Sequence, residues 1–302
     1  MPTMTRRAAR AWHGVRDFAR EVVHESSRVQ ITTHAAAISA FALLSVVPLL
    51  LFALETIAAF FPNPEAGQEF LAGVQSFAGT EAEKLVAWVL RLNASGNPTS
   101  ASWWAELAIL AVAGMSIFLQ NRRSLAEIFG RPSREERPPV LWRLVSTYVA
   151  AIAMVLVTAA LFVALLFANA GIAFLQERVL PAAEEYFALP SLRRLHFAVS
   201  LVLVTLLIGI SWRLLAMRRP PRVFVYPAAF LTAILLAIGN GIVGALIGRS
   251  ILASMYGTAW AIIALVLWVQ YSALAYLLGA VVTKVLWDRS SRASAPPPSP
   301  AA

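Results

Sequence analysis

The chain has no cysteine and only two aspartates, Asp17 and Asp288, one near each end. The first absence excludes disulfides, thiolate catalysis and cysteine-ligated metals. The second leaves glutamate as nearly the sole source of the carboxylates that a metal hydrolase or nuclease would gather. The four histidines, His13, His24, His34 and His196, form no HExxH pair or similar ligand cluster. There is no GxxxxGK phosphate loop and no GxSxG elbow. No cofactor is implied, and the expectation is a protein that is not an enzyme. Charge is scarce as well. Charged residues make up 14% of the chain, against about 25% in a soluble domain.

What is abundant is apolar surface, at 59% of 302 residues. So much apolar surface calls for lipid as solvent. A span needs roughly 20 mainly apolar residues. Six segments qualify: 35–61, 103–119, 144–168, 197–215, 225–247 and 256–287. The second is short and carries Glu106. The expected fold is therefore all-α, a polytopic membrane helix bundle of about six transmembrane helices. The expected layout is a basic amphipathic segment at 1–30, a membrane domain at 31–288 and a disordered tail at 289–302. The first 30 residues lack an uninterrupted apolar core, so no cleavable signal peptide is expected.

The net charge of +9 would point to nucleic acid in a soluble protein. Here its distribution follows topology. With six crossings, one side holds the N-terminal arginines, Arg122 to Arg143, Arg213 to Arg222, and Lys284, Arg289 and Arg292. The other side holds only Lys84, Arg91, Arg178, Arg193, Arg194 and Arg249. The basic side is cytoplasmic by the positive-inside rule, which places both termini there. Removing the second span would reverse the asymmetry, so that span is retained. The expected partners are membrane lipids, and no nucleic acid.

The connections carry a second pattern. The external loop at 62–102 holds Phe70, Leu71, Val74 and Phe77, then Leu85, Val86, Val89 and Leu92, at helical spacing. These read as amphipathic extra-cytoplasmic helices. Residues 176–195 read as a shorter cap. Near the N-terminus Trp12, Val15, Phe18 and Val22 form a stripe among arginines. It fits either an interfacial helix that attracts anionic lipid or a helix packing on the protein's own loops.

Several residues stand out at membrane depth. Pro48 removes a backbone donor, and Ser45 sits three residues earlier. The pair reads as a hinge or as a tolerated kink. Glu55 is the only carboxylate well inside a span, either a proton or headgroup site or a near-surface acid. Span five carries two ridges of small residues, Ala237, Gly241 and Ala245, and Asn240, Gly244 and Gly248. They read first as helix-packing surfaces, with Asn240 able to line a polar cavity instead. Span six brings Tyr256, Gln270, Tyr271, Ser272 and Tyr276 into apolar surroundings, and Ala275 and Gly279 permit close approach. Such polar groups face protein or trapped water. Arg122, Arg123, Arg218 and Arg219 are the candidate headgroup contacts on the basic side.

The stretch AAAISAFALLSVVPLLLFAL, with Ala36, Ala40, Phe41, Ser45 and Pro48, resembles the first-span signature of the YihY/BrkB family of bacterial inner-membrane proteins. SLAEIFG, ending at Gly130, is similar to the family segment that closes the second helix. In the last span Tyr256, Gly257, Leu267, Trp268, Ser272, Ala273, Leu278, Gly279 and Ala280 fall in family order. The resemblance runs from about Val29 to Lys284. The chain departs from the family pattern at Ala126, where an asparagine is usual, and at Val281, where a glutamate is usual. It also has Ala228–Ala229 in place of a Gly-Ala pair.

The resemblance implies a six-helix inner-membrane domain with external helical caps. It also implies an association with virulence, a ribonuclease label that the missing acid–base cluster argues against, and lipid or lipopolysaccharide export in some relatives. The leading functional expectation is movement or handling of a lipid or envelope precursor. The second is a structural or regulatory subunit of an envelope complex, with a partner protein or a second copy of the chain. A membrane hydrolase or ribonuclease, and small-solute transport through Glu55, follow.

Overall fold

Hydrocarbon cannot satisfy a backbone N–H or C=O, so a chain solvated by it must close its hydrogen bonds within helices or a closed barrel. This chain takes the helical solution. The computed structural model describes residues 2–60, 100–130, 139, 145–160 except 155 and 159, 185–248 and 258–293. Six long helices account for most of them: α1 Pro2–Val29, α2 Ile31–Phe60, α3 Ser100–Phe129, α4 Glu185–Leu215, α5 Arg222–Gly248 and α6 Thr258–Ala293. A further apolar helical stretch covers Val145–Thr158. No strand occurs among the described residues.

Three of the apolar stretches are long enough to cross a bilayer: Phe197–Leu215, Arg222–Ile242 and Ile263–Ala293. Only 33% of each is buried inside the chain, so most of this apolar surface requires an apolar exterior. The expected spans at 35–61 and 103–119 fall largely in α2 and α3, and the third expected span is helical over Val145–Thr158. The external helices expected at 62–99 lie outside the described residues.

Two boundaries differ from the sequence reading. α6 continues to Ala293, so residues 289–293 are helix and not tail. The second half of the cap expected at 176–195 is the opening of α4. In both cases the polar residues sit on a helix whose apolar stretch supplies the stability, and the helix simply extends past it.

The helix ends have local causes. Gln30 takes a left-handed conformation, φ 52°, and its N–H donates to the Ser27 carbonyl at 3.2 Å. That one residue separates α1 from α2. Gly130, at φ 90°, ends α3 in the way glycine commonly ends helices, since no Cβ opposes that conformation. The Pro221 carbonyl accepts from Phe224 and Val225 and so opens α5.

The described chain forms two compact units. Unit 1 comprises residues 1–31, 122–235 and 276–302, and unit 2 comprises 32–121 and 236–275. α1 thus belongs to the same unit as the end of α6 and does not stand as a separate segment. In unit 1, α4, α5 and α6 converge at Gly279. A Cβ there would collide with the Thr232 hydroxyl and come within 2.8 Å of the Trp212 ring. Trp212 is fully buried, as are Leu277, Val281 and Thr283. α4 and α5 also meet at Gly209, beneath the Tyr226 ring. In unit 2 the close approach is at Gly239, whose open face is filled by the Tyr271 ring. Gly241, expected on a packing ridge, has no neighbour within 4 Å of its would-be Cβ.

These contacts set two glycines in opposition. Gly279→Leu is expected to destabilise by about 1–3 kcal/mol through overpacking. Gly241→Ala, in open helix, is expected to gain about 0.5–1 kcal/mol from backbone entropy. Thermal unfolding in detergent, followed by tryptophan fluorescence, reads both.

Candidate functional site

The polar groups at membrane depth are spent in two ways. Hydroxyls on the described helices mostly bond back to their own turn. Ser39 donates to the Ala35 carbonyl, Thr205 to Leu201, Thr232 to Ala228 and Thr283 to Gly279, at 2.7–3.0 Å. Ser45 donates to the Ala42 carbonyl at 2.7 Å. The carbonyl left without its helical donor by Pro48 belongs to Leu44, so the serine does not serve it. Pro48 and Glu55 lie within α2, but their side chains are outside the described set, and Tyr256 is outside it altogether.

The remaining polar groups link helices. In unit 1 the Tyr276 and Ser211 hydroxyls are 2.8 Å apart, and the Tyr276 ring lies 5.7 Å from that of Trp212. The Trp212 indole N–H is buried without a partner among the described residues. In unit 2 His34 meets Gln120 at 3.2 Å, which brings the start of α2 beside the end of α3. Gln270, Tyr271 and Ser272 are half-buried on α6. Asn240 is exposed on α5, and its Oδ1 accepts from Trp268 Nε1–H at 2.6 Å. At 1.5 Å per residue Asn240 lies about 27 Å along the helix from Arg222. With Arg222 at one edge of a core about 30 Å thick, this pair sits near the other edge.

The basic residues divide in the same way. Arg122 donates to Thr147 Oγ1 at 2.6 Å and so ties α3 to the next helical stretch. Arg123 and Arg219 are exposed. Arg218 is also exposed and lies over the Trp287 ring at 5.0 Å, with Lys284 near the same ring at 5.7 Å. Cations around a tryptophan are the side-chain signature of a membrane boundary.

α1 reaches this boundary through α6. Arg289 donates to Glu21 at 2.9 Å and lies over the Phe18 ring at 5.1 Å. Arg28 pairs with Glu25 on α1, and Lys284 with Asp288 on α6. Phe18 and Val22 are half-buried, while Val15 and Val23 are more than 60% exposed. The N-terminal stripe is therefore divided between a face turned to α6 and a face turned outward. Between α1 and α6 lies an open cleft of about 290 Å³, lined by Arg20, Glu21, His24, Glu25, Val285, Asp288 and Arg292. The sequence reading did not find it. The signal lay in acids spaced four apart at Glu21 and Glu25 and bases spaced three apart at Arg289 and Arg292, on segments far apart in the chain.

The Arg289 hydrogen bond holds the Glu21 carboxyl below its ordinary range, and the Arg28 bond does the same for Glu25. A lowered carboxylate stabilises the folded contact above the ordinary value near 4.5, and the contribution is lost as pH falls through the lower, folded value. With the intrinsic rate factored out, protection of the α1 amides is therefore expected to fall as pH drops below about 4.5, and Arg289→Gln to lower it already at pH 7. At the interior link, Tyr276→Phe is expected to cost about 1 kcal/mol, and Ser211→Ala to add less than its single effect on top of it. Hydrogen exchange in nanodiscs and thermal unfolding measure the two.

Residues 22–302 match the family model described as Virulence factor BrkB, from within α1 through the C-terminal residue. No curated protein and no solved structure matches the chain. Ala126, Ala228, Ala229 and Val281, where the resemblance leads one to expect other residues, are all buried in unit 1. Each therefore serves as an apolar packing residue here. With a family match over nearly the whole length and helices apolar enough to cross a bilayer, the chain is a membrane protein and belongs to the BrkB virulence-factor family.

Proposed function

We propose that this protein moves or handles a phosphate-bearing lipid or envelope precursor in the bacterial inner membrane, without covalent chemistry, and with both termini in the cytoplasm. The Glu21–Arg289 contact supports the shared side of the termini, because it joins the first helix to the end of the last. The arginines on those two segments support the cytoplasmic assignment.

The observation that carries the functional reading is the Asn240–Trp268 pair. An exposed amide at membrane depth is costly unless something satisfies it. Trp268 occupies the oxygen of Asn240, and the amide nitrogen keeps two donors with no acceptor among the described residues. Donors presented to lipid suit the ester or phosphate oxygens of a lipid at the edge of the hydrocarbon core.

A second reading has its own support. The centre of unit 1 is closely packed around Gly279, Trp212 and Thr232, as in a rigid structural subunit of an envelope complex.

The test is reconstitution of the purified chain in vesicles carrying a fluorescent phospholipid, with an impermeant quencher outside. Lipid is expected to cross faster than in empty vesicles. Asn240→Leu is expected to slow it about fivefold, the value of one hydrogen bond. No movement of any phospholipid, together with a stoichiometric complex retained through purification in mild detergent, would favour the structural subunit.

A further inference from the structure

We infer that the cleft between α1 and the end of α6 is a binding site for the phosphate of an anionic phospholipid headgroup. Its charge is the first reason. Each of its three carboxylates is already matched by a cation outside the lining: Glu21 by Arg289, Glu25 by Arg28 and Asp288 by Lys284. Arg20 and Arg292 line the same cleft and make no salt bridge of their own among the described residues, although Arg292 lies near enough to Glu21 to favour its charged form. The lining itself holds two arginines against three carboxylates, and only with the three pairing cations around it is the charge net positive with His24 neutral; the Arg20 and Arg292 guanidiniums are shaped for phosphate oxygens.

Position is the second reason. Trp287, with Arg218 and Lys284 around its ring, marks the membrane boundary on α6. Asp288 and Arg292 follow within about 8 Å along the axis, at headgroup level. Val285 gives the cleft an apolar wall on the membrane side of Asp288. The third reason is the outer surface of α1. Val15, Ala19 and Val23 recur every four residues along one exposed line, and Arg16 and Arg20 run directly beside it. Valines at the acyl boundary with arginines alongside are how an interfacial helix sits on anionic lipid. The volume, about 290 Å³, is at the lower end of small-molecule sites and suits a headgroup more than a whole lipid.

The site rests on the orientation proposed above but not on lipid movement, so a binding measurement separates the two. Native mass spectrometry of the full chain in detergent, titrated with phosphatidylglycerol, is expected to show retained lipid adducts. Phosphatidylcholine is expected to bind at least about tenfold more weakly, since the headgroup's own cation offsets the two arginines. Arg20→Gln with Arg292→Gln is expected to lose at least about tenfold in affinity for phosphatidylglycerol. Arg20→Lys with Arg292→Lys keeps the charge without the paired hydrogen bonds and is expected to fall between the parent and the glutamine variant, and a melting curve like that of the parent shows that loss in the glutamine variant is not unfolding. Arg222→Gln, on exposed α5, is expected to change nothing. Equal binding of the two lipids, an unaffected glutamine variant, or an equal loss with Arg222→Gln would overturn the site. Displacement of the lipid by millimolar inorganic phosphate would show a free-phosphate site and overturn the lipid assignment.

Discussion

A polar group in hydrocarbon has no solvent to fall back on, and this constraint shapes nearly every described contact. It forces the backbone into helices. It also explains the repeated return of serine and threonine hydroxyls to the carbonyl one turn back, from Ser39 and Ser45 to Thr232 and Thr283. A hydroxyl satisfied within its own helix adds no directional demand on a neighbour. The helix can then be packed by shape alone, as Gly279 is against Thr232 and Trp212. Polar groups that reach across, among them Tyr276 to Ser211, Trp268 to Asn240 and His34 to Gln120, are correspondingly specific.

How much of this was legible in the sequence follows from the same constraint. Helical class and the approximate places of spans four to six were readable, because continuous apolar runs have one outcome in lipid. The resemblance of SLAEIFG placed the end of a helix there, and the structure puts that end at Gly130. The pairing of faces was not. Gly239 and Gly241 are two residues apart and chemically identical, yet one receives the Tyr271 ring and the other faces open space. Only the rotation of α5 distinguishes them, and an almost wholly apolar helix has too little asymmetry to reveal its rotation. Arg122 and Arg123 are also indistinguishable as sequence, yet the first donates to Thr147 and the second is exposed. The cleft was hidden for a different reason, since its two sides come from opposite ends of the chain.

The buried departures from the family pattern belong to the same account. Val281 and Ala126 are both buried in unit 1. A carboxylate or an amide at such a place would need a partner, whereas valine and alanine need only space.

The single left-handed residue Gln30 has a mechanical consequence. A continuous rod from α1 into α2 would make the first span the anchor of the N-terminus. The break at Gln30 ends that rod, and Glu21 and Phe18 are held by Arg289. The N-terminal helix is thereby fastened to the last helix by side chains as well as to the second by the backbone.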